Sequence, residues 1–112
     1  RMNVERGSVY WTDLDPVRGS EISKTRPCVV VSETQFNAVR RTVVIVPLTS
    51  TVAPPVWPLL IALPSFSPQT RARPEQVRVV DKTRLRQRFD VLDTEAMDAL
   101  DEALSTVLGL RS

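Results

Sequence analysis

Two groups in this chain have the chemistry to hold a phosphate and act on it. Arg26 stands directly before Pro27 and the apolar run Cys28-Val29-Val30-Val31, so a rigid residue leads from a cation into a buried strand. Thr49, with Ser50 and Thr51 behind it, closes a second apolar run, Val43-Val44-Ile45-Val46-Pro47-Leu48. If the two runs pair, a guanidinium and a hydroxyl meet at one rim of a small sheet. The guanidinium fork matches phosphate oxygens and offsets charge developing on them, and the hydroxyl donates to one more oxygen. Each residue also has a plain structural reading. Arg26 could pair with an acid such as Glu21, and Thr49 could belong to a turn that satisfies its own backbone. The chain contains no histidine, so proton transfer here must use other groups.

Further candidates surround this pair. Glu21 precedes Lys24-Thr25-Arg26 and can orient a guanidinium or accept a proton from a substrate hydroxyl; its plain reading is a solvated loop charge. Asp13 and Asp15 are spaced like a pair on one strand face, but with no histidine or third acid nearby they do not suggest a metal site. Arg71, Arg73, Arg78, Lys82, Arg84, Arg86 and Arg88 against Glu75 and Asp81 read as a surface that tracks phosphates, or as a solvated face. Trp11 and Trp57 can stack bases, although tryptophan in an apolar strand is more often core or dimer interface. The single cysteine, Cys28, excludes an intrachain disulfide and reads as a small core residue.

The 112 residues suit one domain, taken here as residues 2–112 with Met2 as the natural start and Arg1 as an addition. The net charge of +2 hides an asymmetry. Residues 1–92 hold fourteen Lys/Arg against eight Asp/Glu, whereas residues 93–112 hold one against five. Thirteen of the cations are arginine, which suits a nucleic-acid partner and equally a GC-rich genome. No apolar run approaches a membrane span and no signal peptide is visible, so a cytoplasmic protein without a membrane partner is expected.

The elements that must position these residues are short. Apolar patterning predicts strands over 8–14, 28–32, 42–47, 57–63 and 76–80. Residues 17–25 read as a polar loop long enough to act as a lid, 33–41 as a connector with helical content, and 64–74 as a second loop. A short basic piece follows up to Arg88. From Asp93 the period becomes helical, with Met97, Leu100, Leu104, Val107 and Leu108 on one face, joined by Ala96 and Ala103. Asp93 or Thr94 caps the start and Gly109 marks the end. Short strands followed by one helix predict a small curled barrel, mainly β, closed by that helix.

Taken in order, Arg6-Gly7-Ser8-Val9-Tyr10-Trp11, Asp13-Leu14-Asp15-Pro16 with Gly19-Ser20-Glu21, Lys24-Thr25-Arg26-Pro27, Pro47-Leu48-Thr49-Ser50 and Glu75-Gln76-Val77-Arg78 resemble the MazF/PemK toxins over nearly the whole chain. The resemblance implies an SH3-like barrel with a C-terminal helix, working as a homodimer. It implies metal-independent, cofactor-free, sequence-specific cleavage of single-stranded RNA as an mRNA interferase, leaving 2′,3′-cyclic phosphate and 5′-hydroxyl ends and inhibiting translation and growth. It further implies inhibition by a cognate MazE-like antitoxin, with DNA touched only through the toxin–antitoxin complex. By position it assigns catalysis to Arg26, Thr49 and Glu21. Residues expected to bind RNA are Lys24, Ser50, Thr70, Arg73, Gln76, Arg78, Arg84 and Arg86, with Thr70 matching a family serine only approximately. A CcdB-like toxin that binds gyrase on the same barrel is the alternative. Its helix ends in Trp-Gly-Ile, where this one ends Leu108-Gly109-Leu110-Arg111-Ser112.

Overall fold

The structure, a computed structural model, describes residues 3–14 and 25–110. Seven antiparallel strands, β1 (Ser8–Asp13), β2 (Thr25–Val30), β3 (Thr42–Ser50), β4 (Ile61–Ala62), β5 (Thr70–Ala72), β6 (Arg78–Asp81) and β7 (Leu85–Val91), precede a terminal helix. A short helix, α1 (Thr34–Val39), joins β2 to β3, and the terminal helix is α2 (Thr94–Leu108). The strand order is β4-β5-β3-β2-β1-β7, with β6 also on β3. This is the small β-barrel with a C-terminal helix that the sequence predicts.

β3 is the hinge of this architecture. On one edge its first half, Thr42 to Ile45, pairs with β6, and its last three residues, Leu48 to Ser50, pair with β5. Pro47 falls where the strand passes from one partner to the other, so its missing N–H costs little there. Its carbonyl is still used, accepting from the Arg73 amide at 3.0 Å.

Side-chain alternation divides the core in two. Val9, Val29 and Val46 face α2, where they pack with Met97 and Leu100; Tyr10, Cys28, Val30 and Ile45 face the barrel interior with Val80 and Leu85. A strand buried on both faces is why β2 reads as an unbroken apolar run. Gly7 holds φ +93° where the chain enters β1, with its amide on the Val30 carbonyl at 2.8 Å.

Helix α2 starts and stops as its sequence predicts. The Asp93 side chain accepts from the Ala96 amide at 2.9 Å, and Gly109 ends the helix at φ +69°. Its first three turns bury Ala96, Met97, Leu100 and Ala103, but Leu108 is exposed. Arg6 ties the helix to the barrel through Asp101 and the Val31 carbonyl. Among the described residues no helix is long and apolar enough to cross a membrane.

Several expected boundaries are corrected. β2 runs over Thr25–Val30 rather than 28–32, because Thr25 and Arg26 pair with Asp13 and Thr12. β3 extends through Ser50, so Thr49 and Ser50 are strand residues and not a turn. The expected strand over 57–63 shrinks to Ile61–Ala62, since residues 57–59 turn back through a Val56–Leu60 bridge. The expected loop 64–74 contains β5, and the basic piece ending at Arg88 divides into a 3-10 turn over Lys82–Arg84 and the start of β7. The strand expected over 76–80 is Arg78–Asp81, following a 3-10 turn over Pro74–Gln76.

Candidate active site

β2 and β3 pair with Cys28 opposite Pro47, Val29 opposite Val46 and Val30 opposite Ile45. Continued for two residues, that register sets Arg26 against Thr49. On its other side Arg26 faces Thr12 of β1, and Thr49 faces Arg71 of β5. Arg26 is therefore held by its pairing with β1 and Thr49 by its pairing with β5, and both are half-buried.

Beneath them the support is buried. Cys28 is inaccessible, and its thiol donates to the Arg26 carbonyl at 3.7 Å. Burial pushes that thiol from 9.0 up to about 11, against the opposing pull of a Thr12 hydrogen bond and the Arg78 and Arg26 charges. Cys28 is thus a protonated core residue at neutral pH and no nucleophile.

Arg26, Leu48 and Thr49 form a wall shared by two cavities. One, of about 470 Å³, is completed by Trp11, Thr25, Pro27, Ser50, Phe66 and Thr70. The other, of about 360 Å³, is completed by Leu14, Pro47, Arg73 and Gln76. Among the described residues nothing hydrogen-bonds or ion-pairs the Arg26 side chain, which lines both cavities.

Of the residues expected to bind substrate, Ser50 and Thr70 lie in the first cavity and Arg73 and Gln76 in the second. Arg78 leans toward it, reaching the Leu14 carbonyl at a weak 3.5 Å. Arg86 is paired with Asp13 at 3.1 Å. Arg84 sits in the 3-10 turn between β6 and β7 and lines neither cavity. Hydrogen bonds from Thr83 hold the neighbouring Asp81 carboxyl below its usual range, helped by Arg41 and Arg84. Glu21, Lys24 and Asp15, with most of the 17–25 loop, lie outside the described residues. Among the described residues no cluster of three metal-ligating side chains occurs.

Two readings of single residues change. Arg71 is no surface cation: only 8% of it is exposed, and it donates to the Pro68 and Thr70 carbonyls. Trp11 is no core residue, since 40% of it is exposed beside Arg26. Phe66 and Leu14 also line the site, and no local signal in the sequence distinguishes them from core residues.

The chain is similar to known proteins over nearly its whole length. Residues 5–108 match the family described as PemK-like, MazF-like toxin of type II toxin-antitoxin system. The chain is 34% identical to endoribonuclease EndoA of Bacillus subtilis over 97% of both chains. It is 35% identical to endoribonuclease MazF9 of Mycobacterium tuberculosis, over 97% of this chain and 99% of that one. A solved mycobacterial endoribonuclease in complex with its cognate antitoxin superposes with a TM-score of 0.77 at 26% identity, over 96% of this chain and 97% of that one. With the match spanning nearly its whole length, the chain belongs to the PemK-like, MazF-like toxins of type II toxin–antitoxin systems.

Proposed function

We propose that this toxin is a sequence-specific endoribonuclease that cuts single-stranded RNA by attack of the RNA's own 2′-hydroxyl. The observation that carries the reading is the wall shared by Arg26 and Thr49, which leaves a guanidinium and a hydroxyl open to one phosphate between two cavities. RNA brings its nucleophile already positioned, so the protein needs to orient, move protons and offset charge. The 2′-oxygen–phosphorus bond forms and the phosphorus–5′-oxygen bond breaks. One proton leaves the 2′-hydroxyl and one arrives on the 5′-oxygen. The products are a 2′,3′-cyclic phosphate and a 5′-hydroxyl.

Arg26 is suited to the charge of the pentavalent phosphorane and to donating toward the leaving 5′-oxygen. Thr49 donates to a non-bridging oxygen. Arginine side chains hold their proton too firmly to serve as a base, so Glu21 or a bound water takes the 2′-hydroxyl proton. Neither donor set requires a metal ion. Cutting messenger RNA in this way would stop translation and growth.

Two partners complete the proposal. A second copy of the chain forms the working homodimer. An acidic, disordered antitoxin segment with spaced apolar anchors covers the basic rim and competes with RNA. Incubation with a long transcript in EDTA tests the activity. Cuts at a few short sites, with cyclic phosphate ends, are expected. Intact RNA would refute the ribonuclease and leave a gyrase-binding toxin as the reading to pursue.

A further inference from the structure

Next to the phosphate wall stands an aromatic one. Trp11 and Phe89 stack with ring centroids 5.0 Å apart and planes 23° from parallel, and Phe66 meets Phe89 edge-on at 6.3 Å. Trp11 and Phe89 keep 40% and 39% of their surfaces exposed, and neither belongs to the two buried clusters. Trp11 and Phe66 line the same 470 Å³ cavity as Arg26, Thr49, Ser50 and Thr70. Rings ordered by one another, left in water and edged by hydroxyls have the make-up of a ligand wall rather than of a core.

We infer that this cavity is a base-binding pocket: a nucleobase flanking the cleaved phosphate stacks on Trp11, with Phe66 as side wall and the Ser50 and Thr70 hydroxyls meeting its polar edge. The inference rests on the ribonuclease reading and names the subsite that reads the sequence. Single-stranded RNA carries one π-face per phosphate, so a base pocket must adjoin a phosphate site, as this cavity does through Arg26 and Thr49. An apolar peptide side chain would not need the hydroxyls. The second cavity lacks aromatic rings and presents Arg73 and Gln76, which suits the continuing backbone.

The test uses a Trp57→Phe protein, which leaves Trp11 as its one tryptophan. Cleavage ends are mapped first. The probe is then an RNA made uncleavable by a 2′-deoxy sugar at the cut, together with copies carrying an abasic site at each flanking position. Binding should quench Trp11 emission. One abasic position should abolish the quench and weaken binding about tenfold to a hundredfold. Trp11→Ala should weaken binding by a similar factor and erase the penalty of that abasic site, while Trp11→Phe should retain most of both. Unchanged emission on saturation with RNA, or an abasic penalty that persists in Trp11→Ala, overturns the pocket. Those results leave the ribonuclease standing if the wild type still cuts. A protein that neither cuts nor binds RNA refutes both.

Discussion

The two cavities that meet at Arg26 and Thr49 differ in everything beyond that wall. One adds two aromatic rings and three hydroxyls; the other adds a cation, an amide and the turn that follows β5. The wall itself is framework: it stands on Cys28 and Leu48, which are buried, and is fixed by strand register. The difference teaches a division of labour. In the proposed reaction the shared wall acts on a phosphate, which every RNA has. In the same proposal the aromatic side would tell one base from another, whereas the cationic side would attract any polyanion. Mutations in the three places should therefore fail in three different ways.

The largest loss should come from the wall. Arg26→Ala should lower the cleavage rate on the order of a hundredfold or more, about 2.7–4 kcal/mol of barrier, while circular dichroism shows the fold intact. Arg26→Lys should be nearly as damaging, because a point charge does not reproduce a fork. Cleavage within a fewfold of wild type would remove Arg26 from the chemistry and leave the cavities without a common function.

The support beneath the wall should reveal itself through pH. The buried Cys28 thiol is raised from 9.0 to about 11, so above pH 9 the unfolded chain ionises while the folded one still holds its proton. Its contribution is full below pH 9 and is lost as pH rises through about 11, a change on the order of 2–3 kcal/mol. Tyr10, raised by burial, acts in the same direction. Urea unfolding from pH 8 to pH 11 should thus show falling stability. In Cys28→Ala the fall should be shallower, whatever that variant loses at neutral pH. Identical alkaline slopes would mean that the thiol ionises freely in the folded protein.

How much of this was legible in the sequence follows from where each signal resides. The β2 and β3 runs and the α2 face announce themselves because apolar periodicity is local, and Pro27 marks Arg26 from one residue away. β5 and β7 are different. Thr70-Arg71-Ala72 is too short and too polar to signal a strand, and it becomes one only because β3 supplies its ladder. Leu85–Val91 buries only Leu85 and owes its pairing to β1. Arg71 looks like its neighbouring arginines until the backbone carbonyls that hold it are in place. The aromatic wall joins residues 11, 66 and 89, a juxtaposition that no window of sequence contains.

The cationic side should show a smaller, unspecific effect. Arg73 lines the second cavity and Arg78 reaches Leu14 beside it. Charge reversal of both, Arg73→Glu with Arg78→Glu, should weaken RNA binding about tenfold at low salt. The slope of log K against log salt should fall by about 0.7 for each phosphate that is no longer neutralised. The penalty should be alike for every RNA sequence. An unchanged slope would make these arginines a solvated face and confine recognition to the aromatic side.

The smallest effect should be the most selective. Thr70 lines the aromatic cavity, is 9% exposed, and pairs with Ser50 across β5 and β3. Thr70→Val keeps the shape and removes the hydroxyl. One neutral hydrogen bond is worth about 0.5–1.5 kcal/mol, so binding to the preferred RNA should fall only about two- to tenfold. The salt slope should not move, because the substitution leaves every charge in place. What should change is the ranking of bases at one position beside the cut, since a hydroxyl discriminates by the donor or acceptor it meets. Cleavage of a transcript library by wild type and variant reads this directly. An even loss across all bases would place the Thr70 hydroxyl on the phosphate with Thr49, and the two cavities would then differ in charge alone.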